Sequence, residues 1–221
     1  MDSAPPPIPA ATVVVLRDGL AGVEVLMLHR NPKVAFGGMW AFPGGRIEPR
    51  DGPHFDGARL AATRELAEET NVVFDPSSLV PFAHWSPPAI VQRRFDTVFF
   101  LAQAEGSEVR VDGEEIHRYE WARPGEFLGR HASGDVRLAA PTWVTLSHLV
   151  DVATTAGALH EARHRPPETF VTHLVRLDDD HDVALWHGDV AYASGSLEDP
   201  GPRHRLYMQS GGWRYERTPL G

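Results

Sequence analysis

The feature that most constrains this chain is one short run, Arg64-Glu65-Leu66-Ala67-Glu68-Glu69. Ala58, Ala62, Leu66 and Val73 recur at helical spacing around it, which predicts a helix over 58–71. On that helix Glu65, Glu68 and Glu69 stand at i, i+3 and i+4, within roughly a 100° arc. Like charges so close disfavour a helix unless something offsets them. A hard divalent cation such as Mg²⁺ does so, because it takes oxygen ligands, commonly carboxylates with waters and substrate phosphates. Arg64, beside Glu65 and one turn before Glu68, can orient a carboxylate or partly neutralise the cluster. Taken alone, the helix reads more readily as a solvated face with an ordinary Arg64–Glu68 pair.

The upstream segment favours the functional reading. Pro43-Gly44-Gly45 predicts a sharp turn in which no side chain blocks the backbone. Pro43 stiffens the approach, and the glycines admit conformations closed to other residues. A free Gly44 carbonyl would add one more hard oxygen. Asp56 lies near the start of the helix, where it suits the positive end of the helix dipole.

Taken together, Phe42–Val72 resembles the signature of the Nudix hydrolase family. That signature is Gly, five residues, Glu, seven residues, then Arg-Glu-apolar-x-Glu-Glu-x-Gly-apolar. Gly45 opens the match, Asp56 takes the first Glu place seven residues before Arg64, and Arg64 to Val72 complete it. Counted this way, ten residues instead of five separate Gly45 from the first acid. Asp56 is a methylene shorter than Glu, and Asn71 stands where the family has Gly. Asn tolerates the left-handed backbone that ends a helix, so the cap is expected to survive.

The resemblance implies an α/β/α sandwich with a mixed sheet, here followed by a helix and β extension over about 141–221. It also implies a Mg²⁺- or Mn²⁺-dependent hydrolase of a diphosphate linked to another moiety. Carried over residue by residue, Gly44, Glu65, Glu68 and Glu69 become metal ligands, and Glu65, Arg64 and Glu68 the catalytic set. Glu65 is the first choice to polarise water and Glu69 the principal ligand. The family does not always keep its base on this helix, so Glu115, in Asp112-Gly113-Glu114-Glu115-Ile116, is an outside candidate for base and ligand. A solvated turn acid is the other reading of Glu115.

Two runs, Leu26–Gly45 and His84–Ala102, look like the branch that contains coenzyme A diphosphatases. Arg30 fits that branch, whereas Ala35 stands where a second arginine is common. For those relatives the implied reaction cleaves coenzyme A to 3′,5′-ADP and 4′-phosphopantetheine. Arg46, Arg93 and Arg94 are candidates to hold phosphates, and Trp85 or Phe95 to stack on a base. Surface arginines and core aromatics are the plain alternatives. A nucleotide-sugar or dinucleotide pyrophosphatase is the nearest competing enzyme. A non-catalytic nucleotide sensor or scaffold is the competing class.

The rest of the chain bounds these readings. It has 221 residues, 42% hydrophobic and 23% charged, so it can bury a core without staples. With no cysteine, disulfides and a thiol nucleophile are excluded. The net charge of −9 argues against binding nucleic acid polymers. No apolar run is long enough to span a bilayer, no secretory signal is visible, and a cytoplasmic protein is expected. A homodimer is compatible with this reading.

Residues 1–10 read as a Pro-rich tail and 11–221 as one domain. Strands are predicted over 11–16, 23–28, 39–43, 79–85, 96–102, 118–122, 169–177, 183–188 and 204–215. The last carries a hairpin turn at Ser210-Gly211-Gly212. Helices are predicted over 124–128 and from Thr142 to about Arg163. His160 and His164 lack the glutamate of a zinc-protease motif. Asp178-Asp179-Asp180 reads as a solvated turn. Arg203-His204-Arg205 is a basic cluster that could meet phosphates or lie on the surface.

Overall fold

Strand formation begins earlier than the proline content of the N-terminus predicts. In the computed structural model, which describes residues 5–33, 37–91, 94–104, 106, 108–178 and 181–219, strand β1 runs Ile8–Gly19. Pro9 is tolerated because the strand does not need its missing N–H. Its carbonyl accepts from Ile47 N at 3.0 Å, and Ile8 N donates to the Arg94 carbonyl at 2.7 Å. The predicted tail therefore gives way to the sheet at Ile8.

Strands β2 (Gly22–Arg30), β3 (Trp40–Ala41) and β4 (Gly44–Arg46) follow, then helix α1 (His54–Thr70). Next come β5 (Val80–Ser86), β6 (Phe95–Gln103), β7 (Ile116–Ala122) and helix α2 (Pro124–Ala132). The main sheet is completed by β8 (Glu168–Val171) in the order β3-β2-β1-β6-β5-β8, with β4 on β1 and β7 on β2. β1 runs parallel to β6, and β5 parallel to β8; the other pairs are antiparallel. β1 pairs with β4 through Ala10–Thr12 and with β2 through Leu16–Gly19. That shared pairing seats the Gly44-Gly45 bend against the centre of the sheet.

The alternation of side chains along β1 builds both layers. Ala11, Val13 and Val15 pack with Ala58, Ala61, Ala62 and Leu66 of α1. Val14 and Leu16 face the other way, into a core with Phe127, Val144, Leu146 and Leu149. The sheet thus lies between helices, as the resemblance implies. α1 begins four residues before the predicted start and ends at Asn71, left-handed at φ 59°, whose N–H donates to the Ala67 carbonyl at 2.9 Å.

Two predicted elements are divided. The helix expected from Thr142 to Arg163 is α3 (Ala140–Leu149) and α4 (Thr155–Arg163). Thr154 restarts the helix by accepting from Gly157 N at 3.1 Å. Asp18 ties that start to β1, accepting from Thr155 N and Oγ1 at 2.7 and 3.0 Å. The strand expected over 169–177 breaks at Thr172, where the chain leaves the main sheet. β9 (His173–Arg176) instead joins β10 (Asp182–Leu185), β11 (His204–Met208) and β12 (Arg214–Arg217) in a second, antiparallel sheet. Thr172 Oγ1 accepts from Trp186 Nε1 at 3.0 Å at this crossing.

The second sheet also has two faces. Ala184, Trp186 and Leu206 join the main core, while Val183 and Leu185 form a small separate cluster with Ala191. Among the described residues, no helix is long and apolar enough to cross a membrane.

Candidate active site

Two glycines are fitted to the acidic helix. Gly44 sits at φ +154°, and a Cβ there would lie 2.5 Å from the Ala11 carbonyl. A Cβ on Gly45 would lie 2.3 Å from the carboxyl carbon of Glu65. The bend is therefore bare because β1 occupies one side and a glutamate the other. Gly44 N donates to Glu69 Oε2 at 3.0 Å, locking bend and helix together.

Glu69 is only 3% exposed. Arg30 Nη1 reaches it at 3.3 Å. Burial outweighs both of these partners and pushes its carboxyl up to about 8. Glu65 is also raised, again by burial, although Arg64 Nη1 donates to it at 2.7 Å. Glu68 is exposed and accepts from Arg64 Nη1 at 3.2 Å. Glu115 is brought in from far along the chain, because β7 pairs with β2 in a register that sets Ile116 opposite Arg30. Arg30 Nη2 bonds Glu115 directly.

Arg64 spends its donors inside the protein. Nε and Nη2 grip Asp51 Oδ1 and Oδ2 at 3.0 and 2.8 Å, and Nη2 also donates to the Arg46 carbonyl at 3.0 Å. This fork holds Asp51 below the ordinary carboxylate range. Arg64 thus ties Asp51, Glu65, Glu68 and the Arg46 carbonyl together. Asp51, not Asp56, is its supporting acid. Asp56 lies exposed in the first turn of α1. The five extra residues fall after the first acid: Asp51 follows Gly45 by the expected five-residue gap, a count that would have found it in the sequence.

A cleft of about 720 Å³ opens over this arrangement. Gly44, Gly45, Arg46, Glu65, Arg30 and Glu115 line one end. Arg94, Phe95 and Trp85 also reach it. The Arg46 guanidinium carbon lies 5.9 Å from the Phe95 ring centre. Trp85 offers no open ring for a base: it is 4% exposed and stacked on Phe170 at 3.8 Å. Arg93, Ala35 and the last two aspartates of the 178–180 run lie outside the described residues. Arg203-His204-Arg205 does not form a phosphate cluster. Arg205 is fully buried on Asp189, and His204 is buried.

Among the described residues the acids do not converge into a group of three or more metal-holding side chains. The reason is visible in the ion pairs: Arg64 bridges Glu65 and Glu68, and Arg30 bridges Glu69 and Glu115. The donors still suit a hard divalent ion. All are oxygens, and the charged forms of Glu65 and Glu69 are under-compensated where they sit.

A mixed sheet between helices, with a glycine bend clamped onto an acidic helix at the mouth of a cleft, defines a hydrolase of the phosphoanhydride-cleaving kind. The NUDIX domain model matches residues 6–141, well over half the chain. The protein belongs to the Nudix family and is a Nudix hydrolase, acting on pyrophosphate bonds. Its structure is similar to a Nudix hydrolase from Alicyclobacillus acidocaldarius, at TM-score 0.65 and 25% identity over 70% of this chain and 96% of that one. The Nudix domain of Shewanella oneidensis NrtR, solved with ADP ribose, shares the fold at TM-score 0.52 and 18% identity, over 65% of this chain and 86% of that one.

Proposed function

We propose that this Nudix hydrolase is Mg²⁺- or Mn²⁺-dependent and cleaves the diphosphate of a nucleoside-diphosphate-linked metabolite. Coenzyme A or an acyl-coenzyme A is the preferred substrate, giving 3′,5′-ADP and the (acyl-)4′-phosphopantetheine. The observation that carries the reading is the Glu65–Gly45 contact at the charged end of the cleft, with Glu69 buried behind Gly44. Glu65, Glu68, Glu69 and the Gly44 carbonyl would hold the cation. A divalent cation there supplies charge neutralisation for the diphosphate and makes water more acidic.

The chain's own groups do the remainder. Arg30, Arg46 and Arg94 line the cleft and orient the diphosphate. Glu65, whose carboxyl is raised by burial, takes the proton as water attacks one phosphorus in line. The P–O bond to the second phosphate breaks, and that phosphate leaves with its arm. Glu115 is a second candidate for the base, favoured by its position in the cleft wall and its pairing with Arg30. Arg64 positions Glu65 and does not touch the substrate.

The substrate is a free small molecule, neither a nucleic acid polymer nor a membrane component. The protein acts in the cytoplasm, alone or as a homodimer. A panel of coenzyme A, ADP-ribose and dinucleoside polyphosphates with Mg²⁺ and Mn²⁺, products identified by mass, tests the assignment. Coenzyme A is expected to be hydrolysed fastest. ADP-ribose turning over faster would overturn the substrate and leave the family intact.

A further inference from the structure

The cleft is chemically lopsided. Its charged lining residues, among them Arg30, Arg46, Glu65 and Glu115, all precede residue 116 in the chain. Among the described residues from Ala139 onward, where α3 and the second sheet supply the wall, the lining carries no charge. Pro141, Leu174, Ala184 and Met208 form this far wall. The strand register explains why they share a face: Ala184 stands opposite both Leu174 and Leu206, and Met208 lies two residues beyond Leu206.

Thr142 and Thr172 also line this wall, and the rest of its surface is apolar. Trp186 also reaches the wall, but it is fully buried and meets Phe170 and Trp85 edge-on at 5.5 and 5.7 Å. A planar base would seek an open ring face. Leu174 and Met208 are half-buried, so each leaves aliphatic surface uncovered. Val91, which also lines the cleft, and its neighbour Ile90 are 40% and 72% exposed.

We propose that Leu174 and Met208 of the second sheet, with Pro141, are specificity-determining residues that hold an apolar arm esterified to the substrate's diphosphate. The proposal rests on the diphosphatase reading above and deepens it, naming the residues that meet the apolar part of the arm beyond the diphosphate. Polar sugar arms leave this wall wet and unmatched; an aliphatic arm removes it from water. The C-terminal extension is then part of the substrate site, contributing selection and not chemistry.

Two probes isolate the arm: ADP-ribose and the hexyl ester of adenosine 5′-diphosphate share nucleotide and diphosphate and differ only beyond it. The wild-type protein is expected to show kcat/KM about 10-fold or more higher for the hexyl ester. Leu174→Gln and Met208→Gln, each folded by thermal unfolding, are expected to lose about 10-fold more on the hexyl ester than on ADP-ribose, mainly through KM. Leu174→Met should restore the preference. An unchanged ratio in both glutamine variants, or equal preference in the wild type, would overturn the proposal.

If neither probe nor coenzyme A is hydrolysed with Mg²⁺ or Mn²⁺, the diphosphatase reading fails by itself. Calorimetric binding of the same two probes then decides the wall. Tighter binding of the hexyl ester that Leu174→Gln abolishes supports it, and equal affinities overturn it.

Discussion

Glu69 and Asp189 are both buried carboxylates beside an arginine, yet the protein treats them differently. Asp189 accepts from Arg205 Nε and Nη2 at 2.7 and 2.6 Å, from His204 N at 2.8 Å and from Ala191 N at 2.8 Å. Burial alone would raise its carboxyl, but these bonds more than reverse that and hold it below the ordinary range. Glu69 has Gly44 N at 3.0 Å and Arg30 at 3.3 Å, and Arg30 also bonds Glu115. Its carboxyl is pushed up to about 8. One pair is a finished structural clip inside the second sheet. The other leaves electrostatic demand unmet, at the place where the fold opens a cleft. A site that must receive a cation or an anionic substrate is built in this second way.

The largest consequence concerns Glu69→Gln. It should lower divalent-stimulated turnover about 10³-fold or more, while the thermal midpoint in chelator stays level or rises. Asp189→Ala should do the opposite, costing about 3–5 kcal/mol in urea unfolding because Arg205 is left buried and unpaired. A smaller effect separates the two acids upstream of Arg64. Asp51→Ala should reduce kcat/KM about 10–100-fold by loosening the residue that holds Glu65. Asp56→Ala, at an exposed position, should stay within about 0.5 kcal/mol of wild-type stability and keep its rate.

The subtlest test is the sign of the pH dependence of metal-free stability. Folded Glu69 keeps its proton up to about 8, whereas unfolded Glu69 releases it near 4.5. The folded state binds more protons in that window, so stability from this residue falls as pH rises through it, and Glu69→Gln should flatten that slope. Asp189 is depressed from 3.8, so its contribution is present above that value and lost as pH falls below it. Asp189→Asn should remove this acid limb. Urea midpoints across pH, in chelator, read both.

The chemistry of α1 was legible because it is local. Arg64, Glu65, Glu68 and Glu69 lie within two turns, and the bend that meets them ends at Gly45. Counting back from Arg64 finds Asp56, whereas counting forward from Gly45 finds Asp51. The Arg64–Asp51 fork shows that the forward count is the right one. Arg30 and Glu115 meet through the β2–β7 register, which no local pattern encodes. The divided helix was partly visible, since Thr154 is a good cap residue inside the predicted span. The apolar wall was not. Leu174, Ala184 and Met208 come together only after the chain crosses between sheets at Thr172.

In the proposed function, Glu69 is kept under-compensated in order to receive a divalent cation. Calorimetric titration of Mn²⁺ into the substrate-free protein near pH 7, in buffers of different ionisation enthalpy, tests it directly. Binding accompanied by proton release is expected, since a carboxyl raised to about 8 must ionise to become a ligand. Affinity should be at least about 10-fold weaker in Glu69→Gln. Equal affinity in the variant, with no proton released by the wild type, would contradict it.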